Sequence, residues 1–145
     1  MTQQIPTLLR RLIGPFTPDA GLLFTRIAGA ALLLHVHGVP KVVHYQEELA
    51  HIDDPLGIGR GLTLWCALFA EVVCPVLIAL GLFTRLAALP VVFLLAVSMV
   101  LVHPDWSIAE GQFGWLLVIV FGTVALTGAG RYSLDAKLAG YALAR

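Results

Sequence analysis

One carboxylate lies within an apolar run that is long enough to cross a membrane. Residues 61–83 read GLTLWCALFAEVVCPVLIALGLF, and Glu71 is the only charged side chain among them. About 20 apolar residues in succession cross a bilayer as an α-helix. A charge near the middle of such a helix costs at least ~2.5 kcal/mol unless another group pairs with it. The run therefore predicts a membrane helix, and Glu71 predicts a functional site whose partners lie on neighbouring helices.

The composition of the whole chain predicts a membrane protein. Of its 145 residues, 59% are hydrophobic and 12% are charged, whereas soluble domains contain about 25% charged residues. The formal net charge is zero, which gives no indication of a nucleic-acid partner. Cys66 and Cys74 lie ~12 Å apart along one predicted helix, too far for a disulfide. The length predicts a single domain over residues 1–145.

Apolar segments at about residues 20–38, 61–83, 86–103 and 113–129 predict four membrane helices. Backbone in lipid is satisfied only in helices and closed barrels, and these segments lack the alternating pattern of barrel strands. Short links between later segments favour antiparallel neighbours. We therefore predict an all-α fold, an integral membrane four-helix bundle that runs up-down-up-down.

The distribution of Lys and Arg predicts the orientation of these segments. Most of the cations flank the segment ends on the same side as the two termini, whereas the loop of residues 39–60 is more acidic. Both termini are therefore expected in the cytoplasm, and the loops of residues 39–60 and 104–112 outside. Amphipathic patterns at residues 5–13 and after Ser133 predict short interfacial helices at both termini. We find no cleavable signal sequence, so the first apolar segment is expected to stay in the membrane.

Polar side chains inside the predicted bundle form the candidate site: Arg26, His37, Glu71 and His103. Arg26 and His37 are about three helical turns apart and share one helix face. Side chains lean toward the N-terminus of their own helix, so Glu71 leans outward while His37 and His103 lean inward toward it. We expect Glu71 to pair first with His37, then with His103 and Arg26. These residues are predicted to bind a ligand or to handle protons, and no catalytic residue or metal site is assigned.

Pro75 adds a backbone acceptor to this site. A proline cannot donate to the carbonyl four residues before it, which here belongs to Glu71. We expect a kink whose free carbonyl lines a polar cavity, or one satisfied by nearby water or hydroxyl groups. The polar side chains also allow a purely structural ion pair at Glu71, an Arg26 that snorkels to the headgroups, and a haem held by His37 and His103.

Taken in order, these residues resemble the DoxX family of small four-pass membrane proteins, from about residue 23 to residue 136. The most specific pieces are Gly-Leu-Phe-Thr-Arg-Leu-Ala-Ala at 81–88 and Gly-Ala-Gly-Arg-Tyr-Ser-Leu-Asp at 128–135. The shorter pieces are Arg26 with Gly29, His37-Gly38 with Pro40-Lys41, Glu71, and His103.

The resemblance implies the four-helix fold, a bacterial cytoplasmic (inner) membrane and a role in redox complexes. It suggests an accessory subunit of a respiratory oxidoreductase, similar to thiosulfate:quinone oxidoreductase, that interacts with quinone and is not catalytic alone. It also implies a protein partner in a membrane complex, or a homo-oligomer. The alternative is a non-enzymatic assembly factor or a subunit that binds a partner or a small molecule, in which the polar cluster fixes the packing of the bundle. A solute transporter would require oligomerisation of the four spans.

Overall fold

The computed structural model describes residues 18–143, and every regular element within them is helical. Three helices are long and apolar enough to cross a membrane, and a shorter apolar helix joins them. The all-α prediction is therefore confirmed. In chain order the helices are α1 (Pro18–Val43), α2 (Tyr45–His51), α3 (Arg60–Leu80), α4 (Thr84–Val102), α5 (Gln112–Thr127) and α6 (Leu134–Leu143).

The first helix is longer than predicted. It begins at Pro18 as expected, but it continues past Gly38 to Val43, and α2 follows with a one-residue break. The prediction of a loop from residue 39 to residue 60 is therefore wrong for its first part. The predicted interfacial helix at residues 5–13 lies outside the described residues.

The helix continues because α1 widens before it reaches Pro40. The Val39 N–H donates to the carbonyl of Leu34, five residues back, as in a π-helix. In an α-helix the proline ring would clash with the carbonyl four residues before it. One wider turn moves that carbonyl aside, and the chain remains helical.

The same arrangement recurs in α3 and α4. In each helix a five-residue π-helical stretch ends two residues before a proline. The N–H of the residue just before the proline donates to the carbonyl five residues earlier: Cys74 to Phe69 in α3, and His103 to Ser98 in α4. Wide turns of this kind are rare and are often found at functional sites. The stretches are Leu34–Gly38, Phe69–Val73 and Ser98–Val102, and the prolines that follow are Pro40, Pro75 and Pro104.

The core lies where α1, α3, α4 and α5 pack against one another. Apolar packing in lipid gains nothing from leaving water, so close van der Waals contact between small residues carries the association. Ala87 and Ala88 provide such a surface on α4, and Phe121 of α5 fills the space beside it. The other buried members of this cluster are Leu33, Cys74, Ile78, Val91, Leu95, Leu117 and Val124.

The bundle has two ends that differ in construction. We call the end where α1 and α4 begin and α3 and α5 end the terminal end. The opposite end, which carries residues 44–59 and 103–111, is the loop end. At the terminal end α3 closes with a left-handed glycine, Gly81, whose N–H bonds to the carbonyl of Ile78 while Leu82 bonds to Leu77. These two hydrogen bonds satisfy carbonyls in the last turn of α3.

Asp135 ties the start of α6 to the turn between α3 and α4. Its carboxylate accepts hydrogen bonds from the N–H groups of Phe83 (2.8 Å) and Thr84 (3.0 Å), so it caps α4. Its own N–H donates to the carbonyl of Gly81 at 2.8 Å. Ser133 caps α6 as predicted, because its hydroxyl accepts the N–H of Ala136. The two motifs at 81–88 and 128–135 are therefore in direct contact.

Replacing Asp135 with alanine should lower the thermal stability of the protein in detergent by an amount that corresponds to about 1–2 kcal/mol, the usual cost of losing a helix cap. Partial burial acts against ionisation, but the N–H groups of Thr84 and Phe83 and the charge of Arg26 together lower the pKa of Asp135 below its ordinary value. A lowered pKa means that the stabilisation is present above the unfolded pKa of about 3.9 and fades as the pH falls below it. Asp105→Ala, on an exposed turn, is the control, and equal melting of the two variants would contradict the capping role.

Candidate functional site

The carboxylate of Glu71 forms an ion pair with Lys41. The Lys41 Nζ lies 2.8 Å from the Glu71 Oε2, and the Glu71 residue is only 6% exposed. Glu71 comes from the π-helical stretch of α3, and Lys41 comes from the last turn of α1. The sequence analysis ranked His37 as the first partner of Glu71, and that ranking is corrected.

The two side chains meet because of the directions in which their helices run. A helical side chain leans toward the N-terminus of its own helix. Lys41 therefore points from the loop end into the bundle, while Glu71 points from the middle of α3 toward the loop end. Lys41 is four residues after His37 and thus on the same face of α1. Sequence reasoning missed Lys41 because it ended the first helix at Gly38, and this i, i+4 spacing was the signal that could have found it.

Gly38 allows α1 and α3 to approach each other at this depth. A Cβ atom at position 38 would overlap the backbone carbonyl oxygen of Glu71. Only glycine permits this contact, as at close helix crossings in membranes. Pro75 has no N–H to donate to this carbonyl, which lies four residues before it. The carbonyl instead faces the Cα of Gly38. The predicted polar acceptor at this place is thus covered by a neighbouring helix.

The two candidate histidines lie in different surroundings. His37 is half-buried beside the ion pair, where the charges of both Glu71 and Lys41 act on it. His103 follows the π-helical stretch of α4, and its ring stacks on that of Trp106 with centroids 3.8 Å apart. His103 does not line the cleft described below. The structure therefore brings His37, but not His103, into the surroundings of the pair.

Arg26 lies at the terminal end, apart from Glu71. It is fully buried, and its guanidinium donates to the carbonyls of Ile78 at 3.1 Å and Tyr132 at 2.6 Å. Ile78 is ~10 Å along α3 from Glu71. The expectations that Arg26 pairs with Glu71 or snorkels to the headgroups are both corrected. Its hydrogen bonds instead join the end of α3 to the segment that follows α5.

The ion pair borders a cleft of about 600 Å³ between α3, α4 and the loop that precedes α3. Binding sites for small molecules commonly have volumes of this order and are apolar with a few polar groups. The lining is mainly apolar, and its charged members are Lys41, Asp53 and Glu71. Trp65, Phe69 and Phe93 provide aromatic surface, and Cys66 and Ser98 add a thiol and a hydroxyl.

The ion pair leaves hydrogen-bonding capacity for a ligand. An ammonium group has three N–H donors, and Glu71 is the ion-pair partner of Lys41 among residues 18–143. Lys41 contacts Oε2 of Glu71, and no hydrogen bond within residues 18–143 reaches the other oxygen, Oε1. The cleft therefore presents a donor and an acceptor side by side. Within residues 18–143 no group of three or more His, Cys, Asp or Glu side chains is placed to hold a metal ion.

The coupling between Lys41 and Glu71 should be large and measurable. Removing one partner of a buried pair leaves the other charge uncompensated and typically costs 3–5 kcal/mol, whereas removing both is much less costly. We expect Lys41→Met and Glu71→Gln each to lower the thermal unfolding midpoint strongly in nanodiscs, and the double variant to recover most of the loss. The exposed pair His44–Glu47, at 3.5 Å, is a matched control in which Gln substitutions should show little coupling. If the double variant instead lost as much thermal stability as the two single variants together, the pairing of Lys41 with Glu71 would be contradicted.

Comparison with known proteins agrees with this architecture. Residues 21–104, more than half of the chain, match the family model DoxX. The chain is 29% identical over 128 residues to the inner membrane protein YphA of Escherichia coli (strain K12), an alignment that covers 80% of this chain and 89% of that protein. No solved structure matches. The matched range contains most of α1, all of α3 and α4, and both members of the Lys41–Glu71 pair. This chain is a membrane protein that belongs to the DoxX family.

Proposed function

We propose that the protein is an accessory integral-membrane subunit of a respiratory or redox oxidoreductase complex, and that it binds quinone in the cleft beside Lys41 and Glu71. The observation that carries the proposal is a buried ion pair that borders an apolar cleft instead of being sealed within packed side chains. A charge pair inside a membrane helix bundle is costly to maintain, and such groups usually mark a ligand or proton path.

The residues of the cleft suit a quinone. The ring of a quinone is flat and apolar, and its carbonyl oxygens accept hydrogen bonds; on reduction they become hydroxyl groups that donate. Lys41 supplies a donor for a carbonyl, and Oε1 of Glu71 supplies an acceptor for a hydroxyl. Trp65, Phe69 and Phe93 offer apolar surface for the ring and tail. When bound, the quinone would accept two electrons, which the partner subunit must deliver, and two protons.

This proposal predicts that quinone co-purifies with the protein. The protein would be isolated with its partner in mild detergent, and its extracted lipids would be analysed by mass spectrometry. We expect quinone bound to the wild-type protein and about tenfold less on the Lys41→Met/Glu71→Gln double variant, since the hydrogen bond from the charged Lys41 donor, worth about 1.5 kcal/mol, is lost. The double variant keeps the site neutral and should fold. The control is His44→Gln/Glu47→Gln, which alters an exposed pair elsewhere.

The alternative is a non-enzymatic assembly factor in which the pair only fixes the packing of α1 against α3. The contact between Gly38 and the Glu71 carbonyl favours it, because that contact would set the register of the two helices. It predicts that single substitutions lower the yield of the complex, while the double variant restores the yield with unchanged quinone content and turnover. That outcome, or a wild-type protein without quinone, would rule out the quinone site.

We further propose that α5 crosses the membrane as a fourth span, with both termini in the cytoplasm of a bacterial inner membrane. α5 is ~24 Å long and would require a thinned bilayer or help from the residues that follow it. In a Cys66→Ser background, cysteine introduced at Asp53 should react on intact cells with a membrane-impermeant maleimide. Cysteine introduced at Lys137 should react only after lysis. Labelling of position 137 on intact cells would contradict the fourth span or the orientation.

A further inference from the structure

The cleft reaches the side of the protein that faces lipid. Phe69 of α3 and Phe93 of α4 line it and yet are 49% and 61% exposed on the outer surface. Each lies nine residues from the loop end of its helix, which corresponds to a depth of ~14 Å. The two residues therefore leave their helices at similar depth, near the middle of the hydrocarbon layer. We call the gap between them the portal.

The portal exists because α3 and α4 pack closely only near the terminal end. There Cys74 and Ile78 of α3 meet Ala87, Ala88 and Val91 of α4 in the common core. Toward the loop end both helices change geometry, since each contains a π-helical stretch next to a proline. From Pro90 onward one face of α4, which carries Phe93, Leu94 and Val97, lines the cleft.

The water side of the cleft is covered by the loop that precedes α3. Ile52, Leu56 and Ile58 of this loop line the cleft. Asp54 holds the loop by accepting hydrogen bonds from the N–H groups of Ile58 (3.1 Å) and Gly59 (2.7 Å) and from the Thr63 hydroxyl (2.8 Å). The Thr63 hydroxyl and these N–H groups keep the pKa of Asp54 below its ordinary value, so the carboxylate stays ionised at neutral pH.

We infer that the cleft is loaded sideways from the bilayer, through the portal between Phe69 and Phe93, by a neutral molecule with an oxygen-bearing ring and an apolar tail. The head lies against Lys41 and Glu71, and the tail extends through the portal into lipid. This inference rests on the proposed function for its choice of binding centre. It does not depend on a redox role or on a partner subunit.

The charge of the site selects a neutral head. Lys41 and Glu71 neutralise each other, and the third charged residue of the lining, Asp53, lies in the loop. An anionic head could pair with Lys41 only by displacing Glu71, and a cationic head could pair with Glu71 only by displacing Lys41. Desolvating an ion in the hydrocarbon layer would add a further cost. A hydroxyl or carbonyl oxygen on a flat ring avoids both costs, because it exchanges hydrogen bonds with the pair without separating it.

The test uses a redox-inert probe, a bromine-labelled pentadecylphenol, which is neutral at pH 7 and quenches tryptophan on contact. Trp106→Phe and Trp115→Phe leave Trp65, a residue of the cleft, as the reporter. In nanodiscs we expect saturable quenching of Trp65, and about tenfold weaker binding in the Lys41→Met/Glu71→Gln variant. Quenching that stays linear with probe concentration would overturn the inference.

The route is tested by the rate of quenching in stopped-flow experiments. Phe93→Ala widens the portal and should raise the association rate at least about threefold, since access limits association. Asp54→Ala loosens the loop and should leave that rate unchanged, as should Phe24→Ala on an exposed face of α1. Faster association in Asp54→Ala but not in Phe93→Ala would place the entrance on the water side. The probe is redox-inert and transfers no electrons. Sideways binding of the probe to a protein that contains no quinone would therefore separate this inference from the proposed function.

Discussion

Inside a bilayer each polar or charged group must find its partners within the protein, and this constraint shapes the whole molecule. Among residues 18–143 the helices bury two charged side chains, Arg26 and Glu71, and pair them in opposite ways. Within residues 18–143, Arg26 donates hydrogen bonds to the backbone carbonyls of Ile78 and Tyr132, and its Nε has no partner there. Glu71 binds the side chain of a lysine that enters from the far end of another helix. The first arrangement closes the terminal end, and the second keeps a polar site open at the loop end.

Proline placement explains why the loop end is open. In α1 and α4 the proline stands at the loop end of the helix, whereas Pro75 lies past the middle of α3, and each helix contains a π-helical stretch on the N-terminal side of its proline. A wide turn shifts the helix face by part of a turn, so side chains that would pack in a regular bundle are redirected. In α1 the shift carries the helix on to Lys41, and in α3 it brings Glu71 to the cleft. The ion pair and the cleft thus share one backbone cause.

The sequence predicted the helices well and the site only in part. Apolar length and the absence of strand alternation identify the helices, and Ser133 is recognisable as a cap from its position before an apolar face. The continuation of α1 from Gly38 to Val43 was missed, because Gly38 and Pro40 are typical of a helix end when the local sequence alone is considered. Lys41 then appeared to be a loop residue, and His37 took its place as the partner. Pro40 alone does not distinguish a helix that ends from one that widens by a π-helical stretch and continues, so the structure was needed to tell them apart.

The two motifs that resembled a family most closely also acquire a physical reason. The segments 81–88 and 128–135 are far apart in the chain, yet Asp135 caps α4 while its N–H binds Gly81. A Cβ at Gly81 would overlap Arg26 and Ser133, so the glycine, the arginine and the serine belong to one packed unit. This unit contains no cleft residue. Its role is therefore structural. The family resemblance of these two motifs supports the fold and gives no information about a ligand.

The contrast between the two ends separates structure from function. A charge that serves only packing can be enclosed completely, as Arg26 is, because nothing needs to reach it. Glu71 is also deeply buried, but it lines a cleft whose mouth lies between exposed aromatic rings at mid-membrane depth. Filling that cleft with larger apolar side chains would shield the ion pair and improve the packing of α3 against α4. The chain leaves it open and supports the opening with three wide turns, an arrangement that a purely structural pair does not require.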